Sequence, residues 1–179
     1  RGLHREYSAP FAISTREGWT PSSLGDLVSL SKSTVSPNME PDTEFDLFSF
    51  EACDLGRLPI ATMGAKIQSN KFRVSPGVVL LPKLNPHIPR VWLPFLEGDR
   101  PKICSTEFLV LVPREGMPRS WIYATLESSP FTAALAQRAD GTSNSHKRLK
   151  PDDVLKRPVL VPPPETLQRF DQQASPLYE

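Results

Sequence analysis

Apolar and polar positions change rhythm several times along this chain. In "WTPSSLGDLVSLSKS", Leu24, Leu27, Val28 and Leu30 form one helical stripe, and Ser22 or Ser23 stands where a cap belongs, which predicts a short helix. "EFDLFSFEAC" sets Phe45, Leu47 and Ser49 against Asp46, Phe48 and Phe50, the period-2 alternation of a strand. "VSPGVVLLPKL" opens on the turn pair Pro76-Gly77 and continues as an unbroken apolar run stopped by Pro82, which predicts a buried strand. "RVWLP" and "STEFLVLVP" predict two more strands, the second ending at Pro113, with Gly98, Asp99 and Pro101 marking the loop between them. Beyond them Trp121, Ile122, Leu126, Phe131 and Leu135 recur at helical intervals. Pro130 divides that stretch into two helices, the second capped by Ser128 or Ser129. "DDVLKR" predicts a helical turn and "PVLVPPP" a last extended segment. "PETLQRFDQQA" predicts a closing helix that Ser175-Pro176 interrupts.

Twenty prolines in 179 residues are about twice the usual share of roughly 5%. They favour short helices and many extended segments. The length suits one domain with a real core, and the 39% hydrophobic, 23% charged composition is that of an ordinary globular chain. No apolar run approaches the roughly 20 residues of a membrane span, and no signal peptide is visible, so a cytoplasmic protein is expected. Cys53 and Cys104 sit in strand-like context without framework spacing and are expected to be reduced, buried thiols.

The net charge of +1 conceals an uneven distribution. Residues 1–60 carry five cations and nine anions, a net of −4; residues 66–119 carry nine and four, a net of +5; residues 138–157 carry six and three, a net of +3. A basic middle and a basic late segment suit a one-sided surface for a polyanion, with an acidic face elsewhere.

Catalytic patterns are missing. His4, His87 and His146 lie far apart, and with two lone cysteines they make no zinc set. No dinucleotide glycine motif, P-loop or nucleophile elbow is present. "LNPHIP" fails as an Asn-Pro-Pro-aromatic adenine-methylation motif, because His87 and Ile88 replace the second proline and the aromatic. It reads better as a proline-rich turn.

The order of segments is more specific than any one of them. Trp19 ahead of Leu24-Gly25-Asp26, a Gly77-Val78-Val79-Leu80 strand and Ser105-Thr106-Glu107-Phe108 come first. A Gly141-Thr142-Ser143 loop with cations after paired helices follows, then Pro162-Pro163-Pro164-Glu165 opening a helix. Over roughly residues 17–170 this order resembles the target recognition domain of type I restriction–modification specificity (S) subunits, also fused to some adenine-N6 DNA methyltransferases.

The resemblance implies an α+β fold: a bent, mostly antiparallel sheet with a few short helices and the start of a C-terminal helix. It divides the chain into a recognition domain at 1–163 and the truncated beginning of a spacer and dimerisation helix at 164–179. It implies sequence-specific recognition of one half of a bipartite duplex target, without catalysis in this chain. S-adenosylmethionine, ATP and magnesium would belong to methyltransferase (M) and restriction (R) partner subunits. A second recognition domain or a homodimer would complete the target. The chain reads as a half-subunit, a fragment, or a domain cut from a single-chain methyltransferase. The leading "RGLHREYSAP" resembles the segment that joins the parts of such a fusion. A protein-interaction module of the same fold without DNA binding, and an enzyme without recognisable motifs, are the alternatives.

Three residue sets are candidates for DNA contact. Thr142, Ser143, Asn144, Ser145, His146, Lys147, Arg148 and Lys150 offer small hydroxyls and amides that bond phosphate, with cations that neutralise it. For reading bases, Lys66, Gln68, Asn70, Lys71 and Arg73 form a second set, and Lys83, Asn85 and Arg90 a third. Arginine suits guanine and Asn or Gln suits adenine in bidentate geometry. The Lys66–Arg73 stretch reads equally as a solvated hairpin. Trp19, Trp92 and Trp121 sit in apolar context and are expected to pack in the core rather than stack on bases.

Overall fold

The unbroken apolar run at 78–82 sets the architecture. Val79–Pro82 is a strand, β7, whose four residues are all buried. Successive side chains of a strand point to opposite faces, and here they enter two different cores. Val79 and Leu81 join one; Val78 and Leu80 join the other. Phe108–Pro113, strand β9, repeats the arrangement, with Leu109 and Leu111 in the first core and Phe108 and Val110 in the second. A strand covered on both sides needs no polar face, which is why neither run alternates.

The computed structural model describes residues 17–136 and 148–178. The remaining strands are β1 (Thr20–Ser23), β2 (Val28–Ser31), β3 (Thr34–Val35), β4 (Glu44–Phe48), β5 (Ile60–Met63), β6 (Lys71–Arg73), β8 (Lys102–Ser105) and β10 (Pro158–Val161). The helices are α1 (Leu24–Leu27), α2 (Phe50–Asp54), α3 (Arg119–Glu127), α4 (Ser129–Ala136), α5 (Pro151–Leu155) and α6 (Pro164–Tyr178). The bend expected of one sheet occurs as breaks between three: β1-β10, β2-β9-β7 and β3-β6-β8-β4-β5. Every pairing is antiparallel except β4 with β8. The fold is therefore α+β and mostly antiparallel.

Helices α3 and α4 cover one face of the β2-β9-β7 sheet through Ile122, Leu126, Phe131 and Leu135. The other face meets the five-stranded sheet through Phe48, Trp92, Cys104 and Phe108. Each large apolar side chain fully buried in these layers contributes about 1.5–3 kcal/mol. Burial pushes the Cys104 thiol up to about 12, against smaller opposing effects of Lys71 and Lys83. Burial also raises Cys53. Both are free, buried cysteines.

Several predicted elements are corrected. The helix expected from Ser22 is a single turn, because Val28–Ser31 instead pairs with β9 in the register Val28↔Pro113 to Ser31↔Val110. Its start is as expected: the Asp26 carboxylate accepts the Ser23 N–H at 3.0 Å and the Ser23 hydroxyl at 2.6 Å. The strand expected through Cys53 ends at Phe48. Ser49 caps α2 by accepting the Ala52 N–H at 3.1 Å. "RVWLP" contributes only a bridge, Trp92 exchanging hydrogen bonds of 2.8 and 2.9 Å with Leu80, since Pro89 and Pro94 bound it without N–H donors. The strand expected at "STEFLVLVP" is two strands in different sheets, joined by the turn at Thr106 and Glu107.

Helix α6 runs through Pro176 instead of breaking there. Its body is clamped on α3 by Leu167, Phe170 and Ala174 against Trp121. Its last turn is held by the Tyr178 ring edge-on to Tyr123 at 4.9 Å. Trp92 and Trp121 are core residues, and half-buried Trp19 meets Trp121 edge-on at 5.7 Å.

Candidate nucleic-acid interface

The turn between β8 and β9 is the place where separate basic segments meet. Lys71 of β6 stands opposite Ser105 in the β6–β8 ladder. The Lys83 N–H donates to the Glu107 carbonyl at 2.8 Å, and the Lys83 carbonyl accepts the Leu149 N–H at 2.8 Å. Leu84 and Arg148 form an isolated antiparallel bridge. Arg148 then donates from Nη2 to Glu107 Oε1 at 2.9 Å. One member of each candidate set, Lys71, Lys83 and Arg148, is thus brought to the turn carrying Ser105, Thr106 and Glu107.

The turn is tied down locally at two points. The Glu107 N–H donates to Ser105 Oγ at 3.2 Å, and Phe108 anchors the next position as a fully buried ring, edge-on to Phe50 at 4.8 Å. Lys71 is half-buried, and burial lowers its pKa. Its Nζ donates to the Ser69 carbonyl at 3.1 Å and to Ser69 Oγ at 2.5 Å.

Beside the turn lies a groove of about 320 Å³. Phe72, Phe108, Leu30 and Pro151 line it with Lys32, Thr34 and Lys83. Lys32, on the link between β2 and β3, and Thr34, the first residue of β3, are exposed, and nothing in the sequence sets either apart. Glu107 escapes sequence reasoning as well. Its one signal is position: a carboxylate between Thr106 and an apolar run, within a segment where cations outnumber anions nine to four.

The other candidates are placed differently. Lys66 closes a 3-10 turn, Gly64–Lys66, and is exposed. Gln68 donates to the Ala65 carbonyl at 2.9 Å, and Asn70 Oδ1 accepts the Ser36 hydroxyl at 2.8 Å. The hairpin reading of this stretch is corrected, because β6 pairs with β3 and β8 rather than with a neighbour in sequence. Arg73 is exposed at the end of β6. Arg90 binds the Asp54 carboxylate with both prongs, at 2.8 and 2.6 Å, and lies 5.0 Å over the Phe50 ring. The hydrogen bonds from Arg90 hold the Asp54 carboxyl below its usual range. That bidentate pair ties α2 to the proline-rich loop. Asn85 sits in the left-handed region at φ 52°, where asparagine is tolerated. Its Oδ1 is buried without a hydrogen-bond partner among the described residues. Lys150 precedes α5. Thr142, Ser143, Asn144, Ser145, His146 and Lys147 lie outside the described residues.

A larger cleft of about 700 Å³ is lined by Arg57 and Arg100 but also by Asp46 and Glu97. Arg57, at φ 61°, is bound to Tyr123 Oη at 2.9 Å and Glu127 at 3.2 Å. Balanced charge offers a polyanion little there. Among the described residues no three His, Cys, Asp or Glu side chains gather as a metal set, and no helix is long and apolar enough to cross a membrane.

No family model and no curated protein matches the chain. Solved structures do. The HsdS subunit from Thermoanaerobacter tengcongensis superimposes with a TM-score of 0.75 at 23% identity, over 94% of this chain and 44% of that one. A chain from a structure of type I R-M system assembly and conformational transition gives 0.75 at 22% identity, over 92% and 43%. The type I restriction–modification S subunit from M. genitalium gives 0.55 at 15%, over 94% and 43%. The chain spans less than half the length of each, and over that length it has the fold of a type I restriction–modification S subunit.

Proposed function

We propose that this chain is a DNA target recognition domain that reads one half of a bipartite duplex sequence and directs a methyltransferase and restriction complex to it. The observation that carries this reading is the convergence of Lys71, Lys83 and Arg148 on one turn beside a groove, in a fold shared with S subunits. Cations gathered from three segments neutralise adjacent phosphates and fix register, while other side chains read base edges. Exposed Arg73, Gln68 and Asn70 are the base-reading candidates, together with Lys66 and Asn85. Thr142 to Lys147, with Lys150, extend the phosphate contacts.

The chain itself performs no chemistry in this reading. S-adenosylmethionine, ATP and magnesium are bound by M and R partners in the cytoplasm. Residues 164–179 begin the helix that spaces this domain from a second recognition domain or a second copy. The net charge of +1 favours a second reading, a protein-interaction module of the same fold. Duplex binding separates the two.

Affinity for a mixed-sequence duplex, followed by fluorescence anisotropy from about 50 to 200 mM salt, should fall linearly on logarithmic axes. In the Lys71→Ala, Lys83→Ala, Arg148→Ala variant the slope should be shallower by about 2.7, because each phosphate left without its cation removes about 0.9. Wild-type affinity and slope in the triple variant would remove the turn from the interface.

A further inference from the structure

We infer that Glu107 is a positioning residue for DNA binding: it holds the Arg148 guanidinium in place for a backbone phosphate. The inference rests on the function proposed above and names a residue which that function alone does not require.

Both ends of the Glu107–Arg148 pair are fixed before DNA arrives. The Glu107 backbone is tied through its N–H to Ser105 Oγ at 3.2 Å and through its carbonyl to the Lys83 N–H at 2.8 Å. The Arg148 backbone is bridged to Leu84, and the neighbouring Leu149 N–H is bound to Lys83. Between them runs one charge-assisted bond of 2.9 Å. That bond uses a single donor of a guanidinium that has five. The Arg148 side chain remains 60% exposed while that of Glu107 is 29% exposed. The arginine is therefore restrained on its inner side and open on its outer side.

The second carboxylate oxygen supports the same assignment. Glu107 Oε2 is buried and has no hydrogen-bond partner among the described residues. An unpaired buried oxygen costs stability, which offsets part of what the Arg148 pairing contributes to the fold. With that oxygen turned from solvent, Arg148 is the more exposed member of the pair, and Lys71 and Lys83 are nearby. An unrestrained arginine loses substantial rotamer freedom on binding. Restraint by Glu107 places that loss in the folding of the protein rather than in the encounter with DNA.

The test measures the salt-dependent affinity of the chain for a mixed-sequence duplex in five variants, with thermal melting to verify folding. Arg148→Ala should weaken binding several-fold and flatten the slope by about 0.9. Glu107→Ala should do nearly the same. The double variant should be no worse than Arg148→Ala alone, because Glu107 acts through Arg148. Glu107→Gln retains an acceptor at the same reach and should keep most of the affinity. Glu107→Asp keeps the charge but withdraws it by one methylene, and should behave like Glu107→Ala. A pure charge effect would reverse the last two.

Normal slope and affinity in Glu107→Ala and Glu107→Asp, with a weakened Arg148→Ala, would overturn this inference and leave the DNA reading standing. Tighter binding of Glu107→Ala would overturn it too, showing that the carboxylate repels phosphate. No effect of Arg148→Ala would instead count against the proposed interface.

Discussion

Phe108→Ala should lower stability by about 3–5 kcal/mol, the usual cost of emptying a fully buried phenylalanine site. Phe108 is completely inaccessible and belongs to the core between the two larger sheets, with Phe48, Trp92 and Cys104. It also meets Phe50 edge-on at 4.8 Å, a geometry that adds to area burial. For a chain of this size each kcal/mol lowers Tm by about 2–4 °C, so a fall of roughly 6–20 °C is expected. Differential scanning calorimetry reads it directly. A fall below about 2 °C would mean that the junction between the sheets is loosely packed, and that the Thr106-Glu107 turn lacks its anchor.

The second large effect is expected at Gly64. This glycine opens the 3-10 turn Gly64–Lys66 where it meets the turn Pro37–Met39, and its N–H donates to the Thr43 carbonyl at 2.8 Å. A Cβ added there would overlap the carbonyl oxygens of Glu40 and Pro37. Both obstacles are backbone atoms, which cannot rotate aside as a side-chain tip can. Gly64→Ala should therefore cost about 3 kcal/mol, at the upper end of ordinary overpacking. Relief by a shift of Gly64–Lys66 would also move Gln68 and Asn70 and disturb the Ser36–Asn70 hydrogen bond of 2.8 Å. A denaturant midpoint equal to wild type, with an unchanged m-value, would show that the two turns leave room for a methyl group.

The sequence made the fold legible where a local pattern had a single structural solution. The unbroken run at 78–82 could only be covered on both sides, and it is. The helices on either side of Ser128 follow from apolar spacing and Pro130. Other stretches satisfied two patterns at once. Leu24, Leu27, Val28 and Leu30 fit a helical stripe, yet from Val28 onward they also alternate, and pairing with β9 decides for strand. The Pro176 signal was overridden by packing, since Phe170, Ala174 and Tyr178 hold α6 against the body.

Less of the candidate site was legible. Residue type separated neither Arg90 from Arg148 nor Lys66 from Lys71. Arg90 is bound with both prongs to Asp54, whereas Arg148 uses one donor on Glu107. Glu107 lies 41 positions from Arg148. Its importance comes from strand order, because β8 and β9 belong to different sheets and their joining turn collects whatever those sheets bring together. A tertiary arrangement of that kind leaves no periodic trace in the chain.

Sequence-specific duplex recognition is the central claim, and selection from a randomised duplex library tests it most directly. The chain, assembled with an M subunit, would be equilibrated with the library near 150 mM salt, where the screening length is about 8 Å and non-specific attraction is weakened. Bound duplexes would then be sequenced. The account predicts enrichment of one short motif, with each mismatch in it costing about 1–3 kcal/mol. Arg73→Ala should relax that motif, and Arg148→Ala should weaken all sequences alike. Recovery of duplexes without any sequence preference would contradict it.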